Sequence, residues 1–372
     1  MDFSFSDEQE LLRSTARELL TIEYPIERVA RLADGDGFDR AGWKLVADAG
    51  WTAISVPEDE RGAGLGFVEE MIVAEELGRA LFPGPFLASI VMALPLLRGG
   101  GASELARQVG SGERIATVAW LGTERPGDPS VDALSWDGER LEGTRVLVPD
   151  LAVADTVVVI GLTGGDLALW TLDPDGSGAT IREMPTVDRT RRLGELVLDM
   201  APACLLARGD HATELVDALR DRALAALAAE AVGVASRALE LAVAHANERR
   251  QFGRAIGSFQ GVSHELARAY MDVELSRSLT YWAAWAVAAG EPAAPAAAAA
   301  AKARSTETAV LTCERGIQAL GGVGFTWEHP MHRFYKRALA IAAMLGTSDE
   351  LWSRTADRVL GPAPTVTLGS PT

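Results

Sequence analysis

The residues best equipped for chemistry lie at 249–260, in the order Arg249-Arg250-Gln251-Phe252-Gly253-Arg254-Ala255-Ile256-Gly257-Ser258-Phe259-Gln260. A helical pattern ends there in a cluster of guanidinium groups, followed by a glycine turn and an aromatic side chain. Guanidinium forks bind phosphate oxygens bidentately, and an aromatic ring beside them supports a flat ligand ring. The same residues also suit a solvated helix end, where arginines complement the helix dipole. A second stretch, 318–350, places Gly321, Gly322 and Gly324 just after Gln318 and closes on the loop Leu345-Gly346-Thr347-Ser348. Glycines at a helix end supply positive φ and admit a close backbone or a phosphate, but plain helix capping uses them too. His264, His329 and His332 have no cysteine or carboxylate at ligand spacing, so no metal site is expected.

Composition narrows the classes that such groups can serve. A chain of 372 residues exceeds one small core, and about two or three domains are expected. Its net charge of −17 repels nucleic-acid phosphates, which argues against a nucleic-acid partner. No basic n-region opens the sequence, and the alanine-rich stretches are too weakly apolar to span a membrane. Cys204 and Cys313 stand far apart without ligand spacing, as expected of reduced thiols in a cytoplasm.

The elements that must position these groups follow from periodicity. Residues 1–112 read as helical: Ser6 and Gln9 form a capping-box pattern, and helical spacing recurs over 38–49 and 67–81 before Pro83 and Pro85. Short apolar or alternating runs at 115–121, 140–148, 156–161, 167–172 and 193–198 read as strands of a small antiparallel β domain. Helices return at 219–247, 257–289, 296–320, 337–344 and 348–359, and prolines at 362, 364 and 371 mark the tail.

With that succession, the string Arg249-x-x-Phe252-Gly253-x-x-Ile256-x-x-Phe259-Gln260 resembles a signature of the acyl-CoA dehydrogenases, flavoproteins that desaturate acyl thioesters between Cα and Cβ. Gly50-Trp51, Val56-Pro57-Glu58 and the A-E-E-L-G run at 74–78 match further landmarks of the family. The resemblance implies an α+β multidomain fold. Its parts are an N-terminal helical domain (1–112), a middle antiparallel β domain (113–208) and a C-terminal four-helix bundle (209–372) that carries the FAD and oligomer interface. It also implies that Arg249 meets the FAD pyrophosphate and that Phe252 and Gln260 line the dinucleotide. Gln318, Gly321 and Gly322 would meet its ADP half, and Thr347 would stand in the G-T-S element beside it. In that family such groups reach across a subunit interface to a neighbour's FAD.

The chain departs from the family where the flavin ring and the base belong. The flavin-contacting stretch of the β domain is present but rearranged at 120–130. Leu147 replaces the tryptophan expected at the ring face, and Pro149 replaces a hydroxyl residue and has no N–H. Leu345 occupies the position of the catalytic glutamate, and the alternative position, Ala223, has no carboxylate either. Abstraction of an α-proton needs a carboxylate within reach, its pKa raised by a dry pocket. Glu230, two helical turns from Ala223 and roughly 10 Å away, is the remaining candidate, with Asp349 and Asp221 weaker.

Two readings follow. In one, this chain is the subunit of a mixed oligomer that lacks the base and completes in trans the FAD site of a paralogous partner. There it would serve desaturation of an acyl-CoA from fatty acid or steroid side-chain breakdown in the cytoplasm, as in a heterotetramer. In the other, it is a self-sufficient FAD-dependent homotetramer using Glu230 as a displaced base.

Overall fold

The structure, a computed structural model, describes residues 5–35, 37–123 and 133–361. The N-terminal lead, the part of the rearranged flavin stretch at 124–130 and the three tail prolines lie outside the described residues.

Helix α1 (Asp7–Glu23) begins at the expected capping box, Ser6 Oγ accepting from Gln9 N at 3.3 Å and Gln9 Oε1 from Ser6 N at 3.0 Å. Helices α2 (Ile26–Asp34), α3 (Arg40–Asp48) and α4 (Phe67–Arg79) follow. The apolar run Phe86–Ala93 is π-helical and buried throughout, and it leads into α5 (Leu94–Gly99) and α6 (Ser103–Gly110). Nothing in its composition marks a face, so periodicity could not have announced it.

The middle segment holds β1 (Ala116–Ala119), β2 (Ser135–Trp136), β3 (Arg140–Pro149), β4 (Thr156–Thr163), β5 (Asp166–Leu172), β6 (Ala179–Met184), β7 (Leu193–Pro202) and β8 (Cys204–Arg208). They form two four-stranded sheets, β1-β4-β5-β8 and β2-β3-β7-β6. Their shared core is built on Leu141, Val148, Val157, Val159, Trp170 and Leu196. Pairing is antiparallel except between β1 and β4, which run parallel. A purely antiparallel sheet was expected. The difference arises because the chain leaves β1, builds β2 and β3 in the other sheet, and returns by that long crossover.

The last segment contains α7 (Asp210–Glu248), a hairpin of β9 (Arg250–Gln251) and β10 (Arg254–Ala255), then α8 (Gln260–Ala288), α9 (Ala294–Leu320), α10 (Met331–Ala343) and α11 (Ser348–Leu360). The central helix α7 packs against α9, α8, α10 and, from the N-terminal segment, α4. Small residues make these crossings close. A Cβ on Gly233 would sit 1.9 Å from Glu75 O, and one on Gly78 would sit 2.3 Å from Glu230 O, so α4 and α7 touch backbone to backbone. The alanine run in α9, including Ala297, Ala298, Ala299 and Ala301, is buried for the same reason. These contacts set Glu230 where the N-terminal helices, the β segment and α10 converge.

Candidate functional site

The arginine-rich string folds as a solvent-facing hairpin. Arg249 caps α7, its N–H bonding His245 O at 2.8 Å, and its own carbonyl accepts from Ile256 N at 2.8 Å to close the loop. Phe252 (φ +52°) and Gly253 (φ +79°) form the tip, the paired positive φ that a two-residue hairpin turn requires. Phe252 is 92% exposed. An aromatic side chain left in water forgoes about 1.5–3 kcal/mol of burial, which marks a surface that something else covers. Arg254 stacks on Phe259 at 3.9 Å, and Phe259 meets Phe252 edge-on at 6.2 Å. The Arg249 side chain has no hydrogen bond or ion pair among the described residues, and Gln260 opens α8 on the surface.

The glycine run behaves alike. Gln318 is exposed on the last turn of α9, Gly321 adopts φ +65°, and the chain then turns through Gly321–Phe325. Within this chain a Cβ on Gly322 would meet nothing within 4 Å, and its φ is not in the left-handed region. Neither fold nor backbone demands glycine at 322, which is the pattern expected where a ligand or another chain approaches. Phe325 and Trp327 stand exposed beside it.

Leu345, Leu147 and Pro149 come together elsewhere, on the wall of a cavity of about 330 Å³ between β1, β3, β7 and α10. None of Arg249, Phe252, Gln260, Gln318, Gly321, Gly322 or Thr347 lines it. Leu147 sits in a bulge of β3, and both it and Leu345 are held at φ +54°, a conformation costly for a branched side chain. The loop at Leu345 is braced from beneath by buried Lys302, whose Nζ donates to Ala342 O (2.9 Å) and Gly346 O (2.5 Å). Burial pushes that ammonium down to about 8. Thr347 accepts from Glu350 N and caps α11.

Under the cavity lies a buried ionic network. Arg337 donates through Nη1 to Glu230 Oε1 (2.5 Å), through Nε to Asp188 Oδ2 (2.5 Å), and through Nη2 to Thr190 O (3.0 Å). Arg191 Nη2 donates to the other Glu230 oxygen at 2.5 Å. Burial alone would raise the Glu230 pKa, but the charges and hydrogen bonds of Arg191 and Arg337 outweigh it and hold the carboxyl below its ordinary value. A general base needs a pKa near the working pH; each Glu230 oxygen instead accepts from a guanidinium group, and the shift is in the opposite direction. Asp150, which follows the cavity residue Pro149, is pushed up to about 6 by burial, against the pull of Arg191 and Arg337. Sequence reasoning missed Arg337, Asp188 and Arg191. The signal was available: a lone glutamate inside the apolar run of α7 must find cations from elsewhere in the fold.

The residues at the cavity do not fit the flavin ring. Pro149 offers no N–H, Leu345 no carboxylate, and Leu147 no aromatic face, so the three positions expected to serve the ring and the base are filled by groups that cannot serve them. The exposed set around Arg249 has the donors and the ring that a pyrophosphate and a nucleotide require.

Comparison with known proteins identifies both helical ends of the chain. Residues 6–108 match the model of the acyl-CoA dehydrogenase N-terminal domain, and residues 221–360 that of the C-terminal domain. Acyl-CoA dehydrogenase IpdE2 of Mycobacterium tuberculosis is 31% identical over 357 residues, covering 95% of this chain and 98% of the relative. Acyl-CoA dehydrogenase FadE27 of the same organism is 32% identical over 83% of this chain and 85% of its own length. Among solved structures, the ChsE4-ChsE5 complex from M. tuberculosis matches with a TM-score of 0.87 at 30% identity, covering 98% of this chain and 100% of that one. A Tcur3481-Tcur3483 steroid ACAD variant matches with a TM-score of 0.87 at 30% identity over 95% and 98% of the two chains.

Proposed function

The chain belongs to the acyl-CoA dehydrogenase family of FAD-dependent oxidoreductases, and on that premise we propose that it is the subunit of a mixed oligomer that lacks the catalytic base. It would complete a paralogous partner's FAD site in trans. The observation that carries this is the split within one chain. The nucleotide-facing set, Arg249, Phe252, Gln260, Gln318, Gly321 and Gly322, is presented to solvent, whereas the position of the base is Leu345 on an apolar wall. Thr347 belongs to the capped turn behind it and would reach the cofactor only from the neighbour's side.

FAD, when bound in the partner's site, supplies the acceptor for α,β-desaturation of an acyl-CoA. Arg249 would hold pyrophosphate oxygens, Phe252 would cover an adenine or flavin face, and the glycines at 321 and 322 would let the nucleotide lie against backbone. Similarity to chains from a steroid ACAD and from the ChsE4-ChsE5 complex supports a heteromeric assembly acting on a bulky acyl group, such as a steroid side chain. The same proposal divides the chain at 112 and 208 and places it in the cytoplasm. Both cysteines are free, and among the described residues no helix is long and apolar enough to cross a membrane. The self-sufficient homotetramer needs Glu230 as base, and Glu230 is held by two guanidinium groups.

Expressed alone, the chain should purify with little flavin and no desaturase activity, and should gain both on co-expression with its paralogue. Flavin counted by absorbance against protein is the measurement. One FAD per chain in the isolated protein, with turnover of an acyl-CoA, would sink the proposal.

A further inference from the structure

Resting on the mixed oligomer proposed above, we infer that its assembly is gated by flavin. This chain joins its paralogue tightly only when the paralogue already carries FAD, and Arg250 and Arg254 enforce that condition together with Arg249. All three guanidinium groups stand on one hairpin, and none has an ion pair among the described residues, although the chain carries a net charge of −17. Elsewhere its arginines are closed by carboxylates, as Arg79 is by Glu240 and Arg98 by Glu60. The hairpin arginines are also prepared to donate. The Arg254 guanidinium stacks 3.9 Å from the centre of the Phe259 ring, which meets Phe252 edge-on. Stacking fixes the fork and leaves its in-plane N–H groups free. Arg250 lies opposite Ala255, a side chain too short to cover it.

The surroundings indicate which anion they await. Helix α8 runs back between α7 and α9, so those two are parallel, and a Cβ on Gly316 of α9 would sit 3.6 Å from that of Ala242 of α7. The hairpin after α7 and the glycine turn after α9 therefore leave the bundle at the same end. Guanidinium forks, the exposed Phe252 ring and the open backbone at Gly322 suit a dinucleotide, with its phosphates and planar rings, better than a row of carboxylates. A second copy of this chain does not supply that ligand, since Leu147, Pro149 and Leu345 fill the positions that would serve a flavin. Pressed against a flavin-free neighbour, the three cations would lose water without gaining a counter-charge, which disfavours both self-association and union with a stripped paralogue. The coupling is reciprocal: the factor that FAD adds to subunit association is the factor that this chain adds to the paralogue's hold on FAD.

Biolayer interferometry of the full chain against its paralogue tests the gate, with the paralogue loaded with FAD and again after stripping by dialysis in concentrated bromide. The loaded form should bind about a hundredfold more tightly, from two charge-assisted bonds at roughly tenfold each. Adding FAD back should restore tight binding. Arg250→Gln combined with Arg254→Gln in one chain keeps the hairpin backbone and Phe252. It should remove most of that factor for the loaded paralogue and leave affinity for the stripped one nearly unchanged. Equal binding of both forms overturns the gate while the mixed oligomer stands, the result expected if carboxylates of the paralogue meet the arginines. A preference undiminished in the double variant also overturns it, because stripping would then act through the paralogue's own fold. Binding of neither form overturns the gate and the functional proposal together.

Discussion

Replacing Arg337 by methionine is expected to destabilise the folded chain by about 3–5 kcal/mol, the usual cost of leaving a buried partner charge uncompensated. Methionine preserves much of the volume, so packing loss stays small and the electrostatic term dominates. Arg337 is 2% exposed and serves both Asp188 and Glu230; without it Asp188 has no cation and Glu230 only Arg191. The pH dependence identifies the mechanism. In the unaltered chain both carboxyls have folded pKa values below their ordinary ones. The stability they contribute is therefore fully present above about pH 4 and is lost as pH falls through the lowered values. In the variant, burial without the partner raises Asp188, so its penalty shrinks as pH falls. The gap between the two proteins should close on acidification, as read by urea denaturation at several pH values. A loss below about 1 kcal/mol near neutrality, or a gap that widens in acid, would contradict this account.

Arg249→Ala is expected to weaken FAD binding in the assembled complex by about tenfold to a hundredfold for each charge-assisted bond lost. Arg249→Lys should recover only part of that, because an ammonium cannot reproduce a bidentate fork. The melting temperature of the isolated chain should hardly move, since the side chain has no partner within it among the described residues. If the arginine serves only the helix dipole, the outcome reverses: up to about 1 kcal/mol of stability is lost and flavin is retained. Both quantities are measured on the same variant.

The elements that could be read from the sequence are those whose burial is periodic. Helices α8, α9 and α11 and the capping box at Ser6 lie within a few residues of expectation. Helix α7 begins earlier than expected, at Asp210 instead of 219, because its first turns are polar. Strand β6, with alternating exposed positions at the edge of its sheet, and β8, a five-residue apolar run exposed over most of its length, were not read as strands. Within the site, Arg249 and Phe252 were legible because their local string is continuous. The partners of Glu230 were not, because Asp188, Arg191 and Arg337 reach it from other segments, and no local pattern encodes a contact spanning 107 residues.

That separation bears on the order of folding. Glu230 and Arg337 lie 107 residues apart, and Arg337 and Asp188 149. Glu230 has no cation within one helical turn in sequence. The buried partner of Asp188 is the distant Arg337, although Arg189, Arg191 and Arg192 follow it, so the network is completed only when the β segment docks on the helices. Closing loops of that length is entropically slow, and desolvating the ions is unfavourable until the last of them arrives. The network therefore forms on the native side of the folding barrier. Asp188→Asn should accelerate unfolding while leaving refolding nearly unchanged, and a slowed refolding limb would place the network in the nucleus instead. The buried charges would then act as a latch on how long the folded chain persists, more than as a guide to how it is reached.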